Sequence, residues 1–168
     1  MSGTTAPEAA SPFEGDPLVA RPNPPEVEYA RETKVRDAYS EGLADERPGE
    51  RLLSTEHRYV TEDGRALRGD MKTLDSDDVI RIWEFKICAD YSALGQVLVY
   101  VALARKSLGF QKVVRGVIAA FEFPPEVAEA IEMLNLNIEK VALPAKYQLA
   151  GEVPLGGMRV PPPVLPAP

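Results

Sequence analysis

Between residues 26 and 143 the apolar positions change period several times, and each change marks an element. Val27, Ala30, Lys34, Val35, Ala38 and Tyr39 fall near one stripe at helical spacing, which predicts a helix from Glu26 to about Gly42, the glycine acting as its stop. Strand patterning then covers Arg51–Val60 and Ala66–Leu74, with Glu62-Asp63-Gly64 as the turn between them. Asp75-Ser76-Asp77-Asp78 turns the chain into a third strand, Val79–Cys88. This acidic run lacks the spacing and terminal Glu of an EF-hand, so it is read as a turn. From Ser92 to Ser107 the pattern is helical and apolar nearly all round, with Leu94, Val97, Leu98 and Val101 on one side and Leu103 on another. Such a helix is expected to be buried, with Gly109 as its C-terminal stop. Val113–Glu122 is apolar enough to lie inside a sheet. Pro124-Pro125 opens a short helix, Glu126–Leu134, and Ile138–Leu143 adds an edge strand.

The order is α-βββ-α-β-α-β. Three consecutive strands with short turns imply an antiparallel meander, and the crossover from the third strand through a helix to the fourth suits a right-handed βαβ unit. The fold class is therefore α/β, a mixed sheet flanked by helices. Residues 1–25, rich in Pro, Ala and acidic side chains, read as a disordered segment, residues 26–145 as the folded domain, and 146–168 as a Pro-rich flexible tail. Pro163-x-x-Pro166 in that tail has the spacing that docks aromatic grooves, which leaves a protein partner open, although a plain flexible end explains it as well.

Composition narrows the chemistry. The single cysteine, Cys88, excludes an intramolecular disulfide, a Cys-rich zinc site and an iron–sulfur cluster built from this chain alone. No apolar stretch approaches the length of a membrane span and no secretory pattern opens the sequence, so no membrane partner and a cytoplasmic location are expected. The net charge of −7 argues at first against a nucleic-acid partner. Its distribution weakens the objection: residues 51–115 hold eleven Lys and Arg against nine Asp and Glu, so the acidity lies elsewhere.

The candidate chemistry is concentrated in residues 68–100. In the third strand Glu84 and Lys86 share one face while Trp83 and Phe85 share the other, as core aromatics under a helix. A carboxylate and an ammonium in an otherwise apolar strand are costly to desolvate without partners or work. Asp70 lies on the preceding strand, where it can converge with Glu84 across the pairing. Two hard oxygen donors, joined by a backbone carbonyl from Phe85 or Ile87, would suit a divalent cation such as magnesium, and Lys86 would stand beside it to orient water or stabilise a phosphate. Gln96 and Tyr100 share a helical stripe, read as lying opposite Leu94, Leu98 and Val101. Arg68, Lys72 and Arg81 either line a nucleic-acid path or are solvated strand ends. His57, the lone histidine, is assigned no role.

Together, Gly69-Asp70, Glu84-Phe85-Lys86 and Gln96-Val97-Leu98-Val99-Tyr100 resemble the PD-(D/E)xK nuclease superfamily, and the Gln-x-x-x-Tyr element resembles its RecB-like members. The resemblance spans roughly residues 28–122. It implies a restriction-endonuclease-like core, as in RecB-like exonucleases and Holliday junction resolvases, and hydrolysis of DNA. By that resemblance Asp70 and Glu84 bind Mg, for which Mn substitutes, with Glu32 on the first helix as a further candidate ligand. Lys86 is catalytic, and Gln96, Tyr100 and Arg68 support the site or contact DNA. A glycine precedes Asp70 where the nominal motif has proline. Pairing into a homodimer is left open. The competing expectation is a non-catalytic module that keeps the fold to bind DNA or a protein within a larger complex. The intact Asp70, Glu84 and Lys86 favour the enzyme.

Overall fold

The computed structural model describes residues 25–148. Residues 1–24 and 149–168, including Pro163-x-x-Pro166, lie outside it. Helix α1 (Pro25–Glu41) and a single turn α2 (Leu43–Glu46) precede β1 (Arg51–Val60), β2 (Ala66–Leu74) and β3 (Ile80–Cys88). Helix α3 (Tyr91–Ser107), β4 (Val114–Glu122), α4 (Pro125–Met133) and β5 (Ile138–Ala142) follow, then a 3₁₀ turn at Ala145–Tyr147. The five strands lie side by side in chain order. The first three are antiparallel, while β3–β4 and β4–β5 are parallel. The mixed α/β sheet expected from the sequence is the sheet observed.

Two layers cover the sheet. On one face Val35 and Tyr39 of α1 pack on Met71, Trp83, Phe85 and Val117. On the other, Val97, Tyr100 and Val101 of α3 and Val127 and Ile131 of α4 cover Ile82, Val114, Ile118 and Ala120. Odd and even positions of β3 thus serve opposite cores, as a two-residue side-chain period requires. Asp90 starts α3 by accepting the Ala93 N–H at 2.8 Å. Gly109, at φ +59°, ends its last turn. Gly116 lets α3 approach β4 closely: a Cβ there would lie 2.9 Å from Val97 Cγ2.

Four expectations need correction. The buried stripe of α1 is Glu32, Val35, Arg36 and Tyr39, whereas Val27 and Lys34 are exposed. Charges inside the stripe find ionic partners across the sheet, so burial follows those partners rather than apolarity alone. Helix α3 is not buried all round: Leu98 and Val99 face outward, because a single sheet covers only one side of it. The tail does not begin at residue 146. Tyr147 is buried against Tyr39, with ring centroids 5.3 Å apart, and donates its hydroxyl to Glu46 at 3.0 Å. A side chain at Gly42 would collide with that hydroxyl, so the glycine makes room for Tyr147 as well as ending α1. Finally, Arg81 lines no path. It is fixed between Glu50, Asp75 and Glu139 at the far end of the sheet, in a network that reaches Trp83 through Thr73.

No helix among the described residues is long and apolar enough to cross a membrane.

Candidate functional site

The site forms where β2 and β3 part. Their pairing runs from Leu74–Ile80 to Met71–Trp83 and stops. One step further would set Asp70 opposite Glu84. There the Asp70 carboxylate accepts the Phe85 N–H at 2.7 Å, so a side chain takes the place of the next ladder bond. The side-chain alternation of β2 also slips at this point. Met71 and Thr73 serve the α1 face, whereas Leu67 and Gly69 meet Tyr59 and Tyr100 on the α3 face. Alongside it in β1, Glu56 has a left-handed φ of 51°. The break in the sheet opens a gap into which side chains project from α1, β2 and β3.

Into this gap come Glu84 (4% exposed), Glu32 (8% exposed), Asp70 and Lys86. Lys86 Nζ lies 3.2 Å from Glu32 Oε2 and 3.2 Å from Glu84 Oε1. The other Glu84 oxygen, Oε2, is buried and has no hydrogen-bond partner among the described residues. Burial, then the charge of Asp70, pushes the Glu84 carboxyl up to about 8 despite Lys86. Burial pushes Glu32 up to about 7, again against the pull of Lys86. Asp70 is raised by burial, though the Phe85 N–H and the cations Lys86, Arg36 and Arg68 oppose the shift. For Lys86, burial favours the neutral amine, but Glu84 and Glu32 outweigh it and hold the ammonium above its ordinary range. The site therefore crowds carboxylates at a fixed cation, with net negative charge poorly solvated.

Helix α3 closes the other side. Tyr100 is buried and stacks on Tyr59, with centroids 5.9 Å apart and planes 13° apart. Burial raises its hydroxyl, and the charges of Glu84 and Asp70 raise it further, which places the ring in the field of both carboxylates. Gln96, one turn earlier, has its Oε1 buried and unpartnered among the described residues. The Gln96–Tyr100 stripe is not opposite Val101, which is buried in the same cluster as Tyr100. Arg68 is half exposed and extends over the ring of Tyr29 at 5.5 Å. His57 packs edge-on against Tyr59.

The sequence reading missed Arg36 and Glu56. Arg36 is 5% exposed, bonded to Asp37 through Nε (2.9 Å) and Nη2 (2.7 Å) and to Glu56 through Nη1 (3.1 Å). The available signal was its position one turn after Glu32 and next to Val35, inside the buried stripe. Glu56 carried no such signal, because its placement depends on a left-handed backbone that strand patterning does not report. Among the described residues no three His, Cys, Asp or Glu side chains are drawn together closely enough to hold a metal on their own.

No family model matches the chain, and no curated protein matches it. Solved structures do. A repair endonuclease from Pyrococcus abyssi is 22% identical with a TM-score of 0.53, the match covering 75% of this chain and 50% of that one. EndoMS in a complex with dsDNA is 25% identical with a TM-score of 0.50, covering 71% of this chain and 45% of that one. EndoMS in its apo form is 24% identical at the same TM-score, over 67% and 47%. The chain thus spans about half the length of the proteins it resembles. What it shares with them is a nuclease fold.

Proposed function

We propose that this protein is a metal-dependent nuclease that hydrolyses DNA phosphodiester bonds, with Asp70, Glu84 and Lys86 as its reactive set. One observation carries the reading: a buried, unpartnered Glu84 oxygen beside the Asp70 carboxylate, at a break in the sheet, with an ammonium held 3.2 Å from the other Glu84 oxygen. Clustered carboxylates with raised proton affinity are unfavourable in themselves, and a divalent cation relieves that repulsion.

The donor set fits magnesium. Magnesium keeps several waters and needs only one or two protein carboxylates, so the lack of a three-carboxylate cage is no obstacle. Asp70, Glu84 and the Phe85 carbonyl would hold it, with Glu32 reaching the site through Lys86. When bound, the ion neutralises charge developing on the phosphate and acidifies an attacking water. The protein's own residues do the rest. Lys86, fixed by two carboxylates, presents a positive charge where a pentacovalent phosphate would build negative charge. The Phe85 N–H fixes the orientation of Asp70. Tyr100 packs beneath the gap, and Gln96 brings an amide oxygen that needs a donor.

Two features of the neighbours support this reading. One is a repair endonuclease, and EndoMS is seen in a complex with dsDNA. Repair, recombination or mobile-element defence is the context we infer. The test is cleavage of labelled single-stranded, double-stranded and branched DNA. Products are expected with Mg²⁺ or Mn²⁺ and none with chelator. Absence of metal-dependent cleavage on all three substrates would leave the binding-module reading in its place.

A further inference from the structure

Three acidic residues stand in a row on neighbouring strands: Glu56 on β1, Asp70 on β2 and Glu84 on β3. The register gives this directly, since Thr55–Met71 and His57–Gly69 flank Glu56–Asp70, and Met71–Trp83 precedes Asp70–Glu84. Asp70 and Glu84 belong to the site already described. Glu56 stands at its edge, and its surroundings are different. Its carboxylate receives Arg36 Nη1 at 3.1 Å, Arg68 Nη1 at 3.4 Å and the Tyr29 hydroxyl at 3.5 Å. Arg68 also bonds the Tyr29 hydroxyl through Nη2 and lies over that ring. Two guanidiniums and a hydroxyl converging on one oxyanion is the donor set that recognises a phosphate.

The two arginines are not equivalent. Arg36 is buried and doubly bonded to Asp37 as well as to Glu56, so it stays where it is. The Arg68 side chain is 48% exposed, and its bond to Glu56 is the longer of the two. Glu56 meanwhile reaches this position from a left-handed backbone that non-glycine residues seldom adopt. A carboxylate is thus held, against local preference, in front of one locked and one releasable arginine beside Asp70.

We propose that Arg68, beside the fixed Arg36–Glu56 pair, is a docking point for one backbone phosphate of a nucleic-acid strand, and that Glu56 occupies this point in the free protein as a carboxylate in the phosphate's place. The inference rests on the nuclease reading for the identity of the strand. On binding, the phosphate takes the Arg68 guanidinium and Glu56 keeps Arg36. Glu56 is then an internal competitor that weakens binding of short or poorly placed strands and yields to one that also reaches Asp70 and Glu84.

The test is binding of a short fluorescein-labelled DNA duplex, in chelator and over a salt series, to full-length wild type, Glu56→Gln, Arg68→Ala and the double variant. Glu56→Gln should bind about fivefold more tightly at low salt, the worth of one exposed ion pair. Its affinity should also fall more steeply with salt, by about one further counterion, because Arg68 then releases a counterion that Glu56 had replaced. In the Arg68→Ala background the gain should vanish. A gain that persists without Arg68 would reflect general charge removal and would overturn the proposal, as would no gain at all. Glu56→Asp keeps the charge on a stem one carbon shorter, which slackens the longer Arg68 contact while Arg36 stays paired with Asp37, so it should show the same direction even where Glu56→Gln folds poorly. A wild type that binds and cleaves duplex while Glu56→Gln and Glu56→Asp change nothing overturns this proposal and leaves the nuclease reading standing. A protein that neither binds nor cleaves in any form overturns it together with the nuclease reading.

Discussion

At the scale of single residues, Lys86 and Glu84 make opposite predictions, which separates their roles. Lys86→Met keeps most of the stem but removes the charge between Glu32 and Glu84. Turnover should fall by about a hundredfold or more, the usual cost of losing one preorganised charge on a developing oxyanion. DNA affinity should change little, and metal affinity should stay level or rise because a competing cation is gone. Single-turnover cleavage beside equilibrium binding checks this; unchanged turnover with lost binding would make Lys86 an anchor. Glu84 predicts a pH effect. Its carboxyl is raised to about 8, and that of Glu32 to about 7, from an ordinary 4.5. A group whose folded value lies above its unfolded value makes folding take up protons. The stabilisation is therefore complete below about 4.5 and lost as pH rises through 7 to 8. Metal-free protein should lose stability between pH 5 and pH 8, on the order of 2 kcal/mol by urea denaturation. Glu84→Gln should flatten most of that slope and raise stability at pH 8. A flat wild-type profile in chelator would mean that the carboxylates are better solvated than their burial indicates.

Among the elements, α3 and β3 determine whether the gap between β2 and β3 keeps its shape. α3 packs directly on β4 because Gly116 has no side chain to meet Val97. Gly116→Val should push the helix off the sheet and cost about 1–3 kcal/mol or more, as overpacking does. Thermal melting reads this directly, and an unchanged melting temperature would show that α3 has slack. Asp90→Ala removes the cap on Ala93 N–H and should cost about 1 kcal/mol without altering the fold. Elements were also what the sequence revealed best. The strands Arg51–Val60 and Ala66–Leu74 begin and end where the pattern placed them, and the other expected elements agree to within a residue, whereas the turn α2 and the 3₁₀ turn at Ala145–Tyr147 were not expected. Alternation and turn chemistry are local, so a single chain displays them. What stayed hidden was non-local: which face of α1 turns inward, that Tyr147 returns to fill the space at Gly42, and that Glu56 turns left-handed where the alternation of β2 slips beside Asp70. Each depends on a partner beyond the reach of local pattern, from 15 residues for Asp70 and Phe85 to more than a hundred for Gly42 and Tyr147.

For the molecule as a whole, the sheet is an α/β frame in which the end of the β2–β3 pairing gathers Asp70, Glu84 and Lys86, with Glu32 and Arg36 supplied from α1. Motif spacing made the first three legible as candidates, because Glu84 and Lys86 had to share a face and Asp70 had to precede them on the neighbouring strand. Spacing could not report their burial, the free oxygen of Glu84, or the arginine that faces Asp70. Those properties arise only when both layers close over the sheet. They are also what distinguishes a reactive cluster from a surface ion pair, so the central claim rests on them. It is tested most directly by measuring Mg²⁺-dependent cleavage of labelled DNA by wild type, Asp70→Asn and Glu84→Gln, with folding of each verified by circular dichroism. The account predicts cleavage by the wild type that chelator abolishes, and loss of about three orders of magnitude or more in either folded variant. Wild-type rates in either variant would contradict it.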